Sequence, residues 1–91
     1  MFRIEITHQY IKDIKLARKR NFDESKLNSA IQILVKGAQL PSHFKNHKLS
    51  GNYKGLNECH ITPDYLLIYS KNKAIELITL IRIGTHSDLF K

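Results

Sequence analysis

The 91-residue sequence contains one cysteine, Cys59. No disulfide can therefore form within the chain, and such sparing use fits a reducing compartment. No apolar run approaches the length of a membrane-spanning helix, and residues 1–5 lack the apolar centre of a signal peptide. There is no internal repeat, low-complexity stretch or linker-like segment. These absences lead to the expectation of one soluble, cytoplasmic domain with no membrane contact. Acidic side chains are also scarce: eight stand against fifteen lysines and arginines, leaving a formal charge of +7 and a pI near 9.7. An excess of that size on so small a surface suits a polyanion, through counterion release and steering, and equally suits an acidic protein partner.

The 42% hydrophobic content is that of an ordinary globular domain. A chain this short buries only roughly 60–65% of its unfolded surface, so one modest core and an open, shallow site are expected. Residues 2–7 alternate Phe2, Ile4, Ile6 with Arg3, Glu5, Thr7 and predict a first strand. Thr7 is a candidate N-cap for a helix over residues 8–20. Ile11, Ile14 and the stem of Arg18 would face inward, and Lys12, Lys15, Lys19 and Arg20 outward. The breaker Asn21-Phe22-Asp23 precedes a second helix, capped by Asp23, with a stripe of Leu27, Ala30, Ile31, Leu34 and Val35. Gly37 is its expected stop.

Residues 38–48 read as a loop, residues 49–55 as a short strand ended by glycine, and residues 58–69 as a hairpin turning at Pro63-Asp64. In the hairpin, Cys59 and Ile61 share one face, with Glu58, His60 and Thr62 on the other. Lys71-Asn72-Lys73 turns the chain into a last strand over residues 74–83. Alternation there separates Ile75, Leu77, Thr79, Ile81 and Ile83 from Glu76, Ile78, Leu80 and Arg82. Residues 86–91 form a tail. The predicted order is β-α-α-β-β-β-β, an α+β fold with a helical hairpin on one face of a mainly antiparallel sheet and the other face partly open.

Four titratable residues stand out as candidate catalysts: His47, His60, Asp64 and His86. They come from a loop, a strand, a turn and a strand end. Each alone is more often a surface or turn residue than a catalyst, and His8 and His43 are read as surface residues. The reaction that suits these parts is RNA cleavage. It needs a base for the ribose 2′-hydroxyl, an acid for the leaving 5′-oxygen, and cations for the phosphate. Lys54 and Arg82 are candidate phosphate contacts, and no metal is required. A metal site built from the histidines and Asp64 is the weaker reading, because no local H-x-x-x-H pair and no thiolate cluster is present.

The segments 47–55, 58–69 and 82–90 resemble, in the same order, the signature of YafQ-type toxins of the RelE/ParE superfamily of bacterial type II toxin–antitoxin systems. The β-α-α start fits as well, so the resemblance covers essentially the whole chain. It implies a ribosome-dependent mRNA endonuclease that cuts in the A site without metal or other cofactor. A DinJ-like antitoxin would neutralise it, and operator DNA would be bound only through the toxin–antitoxin complex. By position, His47, His60, Asp64 and His86 match the family's catalytic set, with His86 as general acid, His47 or Asp64 as base, and His60 orienting the phosphate or sharing the proton work. Tyr65 and Phe90 match positions that help hold the mRNA. Tyr65 stands where some relatives carry tryptophan, and Asn57 where an arginine is common. Relatives that cut free RNA, gyrase-directed toxins on the same scaffold, and a basic RNA-binding module without catalysis are the alternatives. The cations of the first helix, Lys12, Lys15, Arg18, Lys19 and Arg20, are expected to meet antitoxin or ribosomal RNA.

Overall fold

The computed structural model describes residues 1–90. Strand β1 (Arg3–Ile6) leads through Thr7 into helix α1 (His8–Lys19), and the Thr7 hydroxyl accepts from Tyr10 N–H as the expected N-cap. Asp23 likewise caps α2 (Glu24–Val35), accepting from Ser25 N–H. Gly37, at φ +76°, takes the left-handed turn that ends α2. Then follow β2 (His47–Lys48), β3 (Asn57–His60), β4 (Tyr65–Asn72), β5 (Leu77–Thr85) and the single-turn α3 (His86–Leu89). The sheet order is β1-β5-β4-β3-β2, with β1 parallel to β5 and every other pair antiparallel. This is the α+β architecture the alternation predicts.

The main core lies between the helices and one face of the sheet. Tyr10 and Ile14 of α1 and Leu27, Ala30 and Leu34 of α2 pack on Cys59, Leu67, Tyr69, Ile78, Leu80 and Ile83. Each large aliphatic side chain buried there contributes about 1.5–3 kcal/mol relative to exposure. In α1 the inward stripe is Tyr10, Asp13, Ile14 and Ala17. Arg18 is instead exposed and paired with Glu24 at 2.8 Å.

Three local expectations are corrected. The stretch 49–55 is no strand: the strand is His47–Lys48, and Gly51–Tyr53 is a helical turn. The last strand begins at Leu77 and runs to Thr85, because β4 continues through Asn72 and the chain turns at residues 73–76, with Glu76 at φ +51°. Residues 86–89, expected as part of a tail, form α3 instead. The other face of the sheet is the partly open one. Leu66 and Ile68 form a second cluster there with Leu89, joined by Leu49, Tyr53, Leu56, Ile81 and Phe90.

The largest departure is a bulge in β5. Ile68 pairs with Arg82 but Tyr69 with Leu80, so Ile81 is the extra residue. Strict alternation would place Arg82 beside Ile78 and Leu80, which are in the main core. The bulge reverses the parity: Ile83 joins that core, while Ile81 packs on the far side and Arg82 lies in one row with Ile68.

Candidate active site

The far face of the sheet carries the candidate chemistry, and backbone register assembles it. β2 sets His47 opposite Glu58, β3 sets Glu58 opposite Ile68, and β4 sets Ile68 opposite Arg82. Directly opposed residues point to the same face, so His47, Glu58, Ile68 and Arg82 form one row. His60, Leu66 and Gly84 form the next. His47 Nε2 lies 2.9 Å from Glu58 Oε1, and His60 Nε2 lies 3.8 Å from the same oxygen. The Glu58 side chain is only 7% exposed, against 52% for His47 and 31% for His60. Two accessible imidazoles thus flank one sheltered carboxylate.

His86 enters from the other side. Thr85 caps α3 through a capping box with Asp88, and this fixes His86 as the first residue of the helix. A Cβ on Gly84 would sit 3.0 Å from Asp88 Cβ and 3.3 Å from Leu89 Cδ2. The glycine is what lets α3 fold back onto β5. The His86 ring packs at 4.9 Å on Phe90, which meets Tyr53 edge-on at 5.5 Å, and Tyr53 Oη donates to Leu89 O at 3.2 Å. Two strand spacings separate His60 on β3 from Gly84 on β5, roughly 10 Å. His47 and His60 therefore stand on one side of the Leu66–Ile68 cluster and His86 on the other.

Arg82 is held rather than free. Its Nε and Nη2 donate to the two oxygens of Asp13 at 2.9 Å each, and Asp13 also accepts from Ile83 N–H and Gln9 Nε2. β1 leaves the β5 edge after Leu80, and α1 takes over its polar groups through Thr7 and Asp13. Burial alone would raise the Asp13 pKa, but the hydrogen bonds from Arg82, Gln9 and Ile83 outweigh it and hold the carboxyl below its ordinary range. The Asp13 pair raises Arg82 in turn. Asp88 is held down at about 2, chiefly by the hydrogen bond from Arg20 and then by Thr85 N–H. Burial pushes the Cys59 thiol up to about 12, an inert core group.

The remaining sequence candidates are less tightly placed. Asp64 is exposed at the hairpin tip, at the sheet end where Tyr65 pairs with Thr85, with no side-chain partner among the described residues. Lys54 is exposed beside Tyr53. Tyr65, expected to help hold the mRNA, is half-buried and lines the α1 groove with Arg20 and Arg82. Its ring shares the helix side with Leu67 and Tyr69, packs at 4.4 Å on Phe22, and its buried hydroxyl has no partner among the described residues. Phe90, with Tyr53, is the aromatic surface beside His86. Sequence reasoning missed Glu58, Asp13 and Tyr53. Alternation already set Glu58 on the face of His60, but only the β2 register shows that His47 closes the group.

His47, Glu58 and His60 also offer ligand atoms within 4.8 Å of one another. Two imidazoles and a carboxylate are a donor set that zinc or copper accepts. The weaker reading from sequence therefore gains a concrete site, with Glu58 in the place Asp64 was expected to fill.

The family model described as "Bacterial toxin of type II toxin-antitoxin system, YafQ" matches residues 2–91. The mRNA interferase toxin YafQ of Escherichia coli strain K12 is 41% identical over 88 residues, 96% of this chain and 94% of that protein. The E. coli DinJ–YafQ complex contains a chain with a TM-score of 0.90 and 37% identity, covering 100% of both chains. A metal-bound toxin from Helicobacter pylori has a TM-score of 0.90 and 37% identity, over 99% of this chain and 100% of that one.

Proposed function

The chain belongs to the YafQ family of bacterial toxins of type II toxin–antitoxin systems, and from that premise we propose that it is an endoribonuclease cutting messenger RNA in the ribosomal A site by acid–base catalysis. The observation that carries the reading is the placement of His47, Glu58 and His60 on one side of a shallow face and His86 on the other. In-line cleavage needs proton transfer at both ends of a phosphate. The 2′-oxygen attacks phosphorus, its proton passes to a base, the bond to the 5′-oxygen breaks, and an acid protonates that oxygen. The products are a 2′,3′-cyclic phosphate and a 5′-hydroxyl.

A base and an acid, each about 3 Å from its oxygen, bracket a phosphate across a gap of this width. His86 is the acid. His60, 3.8 Å from Glu58 and not hydrogen-bonded to it, and His47, whose Nε2 lies 2.9 Å from the same carboxylate, supply the base side, with Asp64 at the open rim. Arg82, its orientation set by Asp13, presents positive charge to the phosphate from the same row as Glu58. Phe90 and Tyr53 offer stacking surface beside His86, and Lys54 adds charge at the rim.

The net charge of +7 favours the RNA of a ribosome and an acidic antitoxin alike. The E. coli relative assembles with DinJ, and a DinJ-like protein is the partner we assign to this chain, with operator DNA reached only through that complex. Purified protein added to translating ribosomes in EDTA should produce mapped cuts that the same message without ribosomes does not show. Cuts on free RNA would move the protein to a ribosome-independent nuclease, and no cuts in either sample, with or without zinc or copper added back, would sink the ribonuclease reading. His86→Gln should slow cleavage by about 10²–10⁴-fold in a folded protein.

A second reading rests on the close approach of His47, Glu58 and His60 and on the metal-bound Helicobacter relative. Those three residues would hold the ion, which would supply a Lewis acid beside the phosphate. Activity lost in EDTA and restored by zinc or copper would favour it.

A further inference from the structure

We propose that the cavity beside His60 is a nucleotide subsite. In it, Lys26 and Lys45 hold the phosphate of a substrate residue flanking the cut, and His43 with Phe44 faces the base. The inference rests on the ribonuclease reading and extends it to a part of the molecule that reading does not use.

The cavity, about 600 Å³, lies between the first turns of α2, the helical turn Ser42–Phe44 and the end of β3. That volume is in the range of small-ligand sites. No carboxylate lines it, although two lysines and two histidines do. The groove along α1 makes the contrast. It holds Lys12, Arg20 and Arg82, and two carboxylates of the same groove, Asp88 and Asp13, pair with the two arginines. Lys26 and Lys45 form no ion pair among the described residues. Asp23 feels the charge of Lys26, yet it lies outside the cavity wall and is occupied in capping Ser25. The cavity thus sets two lysines in a lining without a carboxylate, whereas the α1 groove sets two acids against its three cations.

Its shape suits a base as well as a phosphate. His43 lies at 4.4 Å and 33° to Phe44. Phe44 is buried in the core, so His43 is a ring supported from beneath rather than the isolated surface residue its sequence position indicates. Lys45 adopts φ +49°, a left-handed conformation uncommon for lysine, directly after the anchored Phe44. The backbone turns there, and the Lys45 side chain reaches the cavity while Phe44 stays in the core. Thr62 Oγ1 accepts from Tyr65 N–H, leaving its own proton to donate. His60 belongs to both places: it lines the cavity and stands 3.8 Å from Glu58. A chain of RNA with its cleaved bond near His60 has this cavity as its next stop.

The test uses a short RNA in which the attacking 2′-hydroxyl is replaced by hydrogen, so that binding is read without cleavage. Amide resonances should shift at Lys26, Ser29, His43 and Thr62. The double variant Lys26→Ala/Lys45→Ala should bind about tenfold more weakly, with the slope of log K against log salt reduced by roughly 0.7 per lysine. Both lysines are exposed, so the fold tolerates the change, and an amide spectrum of the free variant checks it. In cleavage of an RNA panel, His43→Ala should alter the relative rates for different bases flanking the cut. Shifts confined to residues 86–90, or an unchanged affinity and salt slope in the double variant, would overturn the proposal. A protein that binds in the cavity but cuts no RNA would keep the subsite and lose the ribonuclease reading. A double variant that cuts and binds as the parent does would do the reverse.

Discussion

His47 Nε2 lies 2.9 Å from Glu58 Oε1, across the short β2–β3 pairing. The contact sets an exposed imidazole against a carboxylate that is nearly enclosed, with His60 Nε2 at 3.8 Å from the same oxygen. Glu58 is expected to position His47, the ring it approaches at 2.9 Å. Glu58→Gln keeps the shape and removes the charge, and should lower the cleavage rate by about 10–100-fold, the range seen for groups that orient reacting residues. A folded variant with the parental rate would reduce Glu58 to a structural partner.

Asp13 answers to four donors: two nitrogens of Arg82, Ile83 N–H and Gln9 Nε2. Asp13→Ala strands a partly buried guanidinium and a buried N–H. The expected loss is about 3 kcal/mol, or roughly 12–24 °C in Tm for a domain of this size. Thermal unfolding checks it, and a change under about 4 °C would mean water replaces the carboxylate at little cost.

Gly84→Ala would drive a methyl group to 3.0 Å from Asp88 Cβ and 3.3 Å from Leu89 Cδ2. Overpacking of this kind costs about 1–3 kcal/mol. Because the displaced element is α3, activity should fall further than that loss of stability accounts for. Urea unfolding and cleavage measured on the same sample separate the two effects, and a variant destabilised but fully active would show that α3 has room to move.

Acid should weaken the fold through Asp13 and Asp88. Both have folded-state pKa values below their unfolded values, Asp88 at about 2 through Arg20 and Thr85. Between the two values the unfolded chain binds more protons, so stability rises with pH in that window. It is fully present above about pH 4 and is lost as pH falls toward about 2. Urea midpoints should drop across that range, and Asp88→Asn should flatten the drop. Midpoints that stay level from pH 5 to pH 2.5 would contradict the linkage.

Much of the fold is legible in residue order. The helix caps Thr7 and Asp23, the stop at Gly37 and the inward pair Cys59 and Ile61 follow from local chemistry and appear as expected. The stretch 49–55 misled because its polar and glycine residues suit a helical turn as well as an edge strand, and no pattern of buried side chains decides between them. Asp13 was hidden for another reason. A charged residue in a helix is ordinarily solvated, and only the loss of β1 beyond Leu80 creates the unpaired edge that it satisfies.

By itself the sequence determined the α+β class, the toxin family and the residue types available for acid–base work, because these depend on period, capping and motif. Tertiary structure decided which of them meet. The β2 register brought His47 to Glu58, the bulge at Ile81 turned Arg82 away from the core, and Tyr65 went to Phe22 on the opposite face. Strand pairing joins residues distant in the chain, and one inserted residue exchanges the two faces of a strand. Neither is encoded in any local window of sequence.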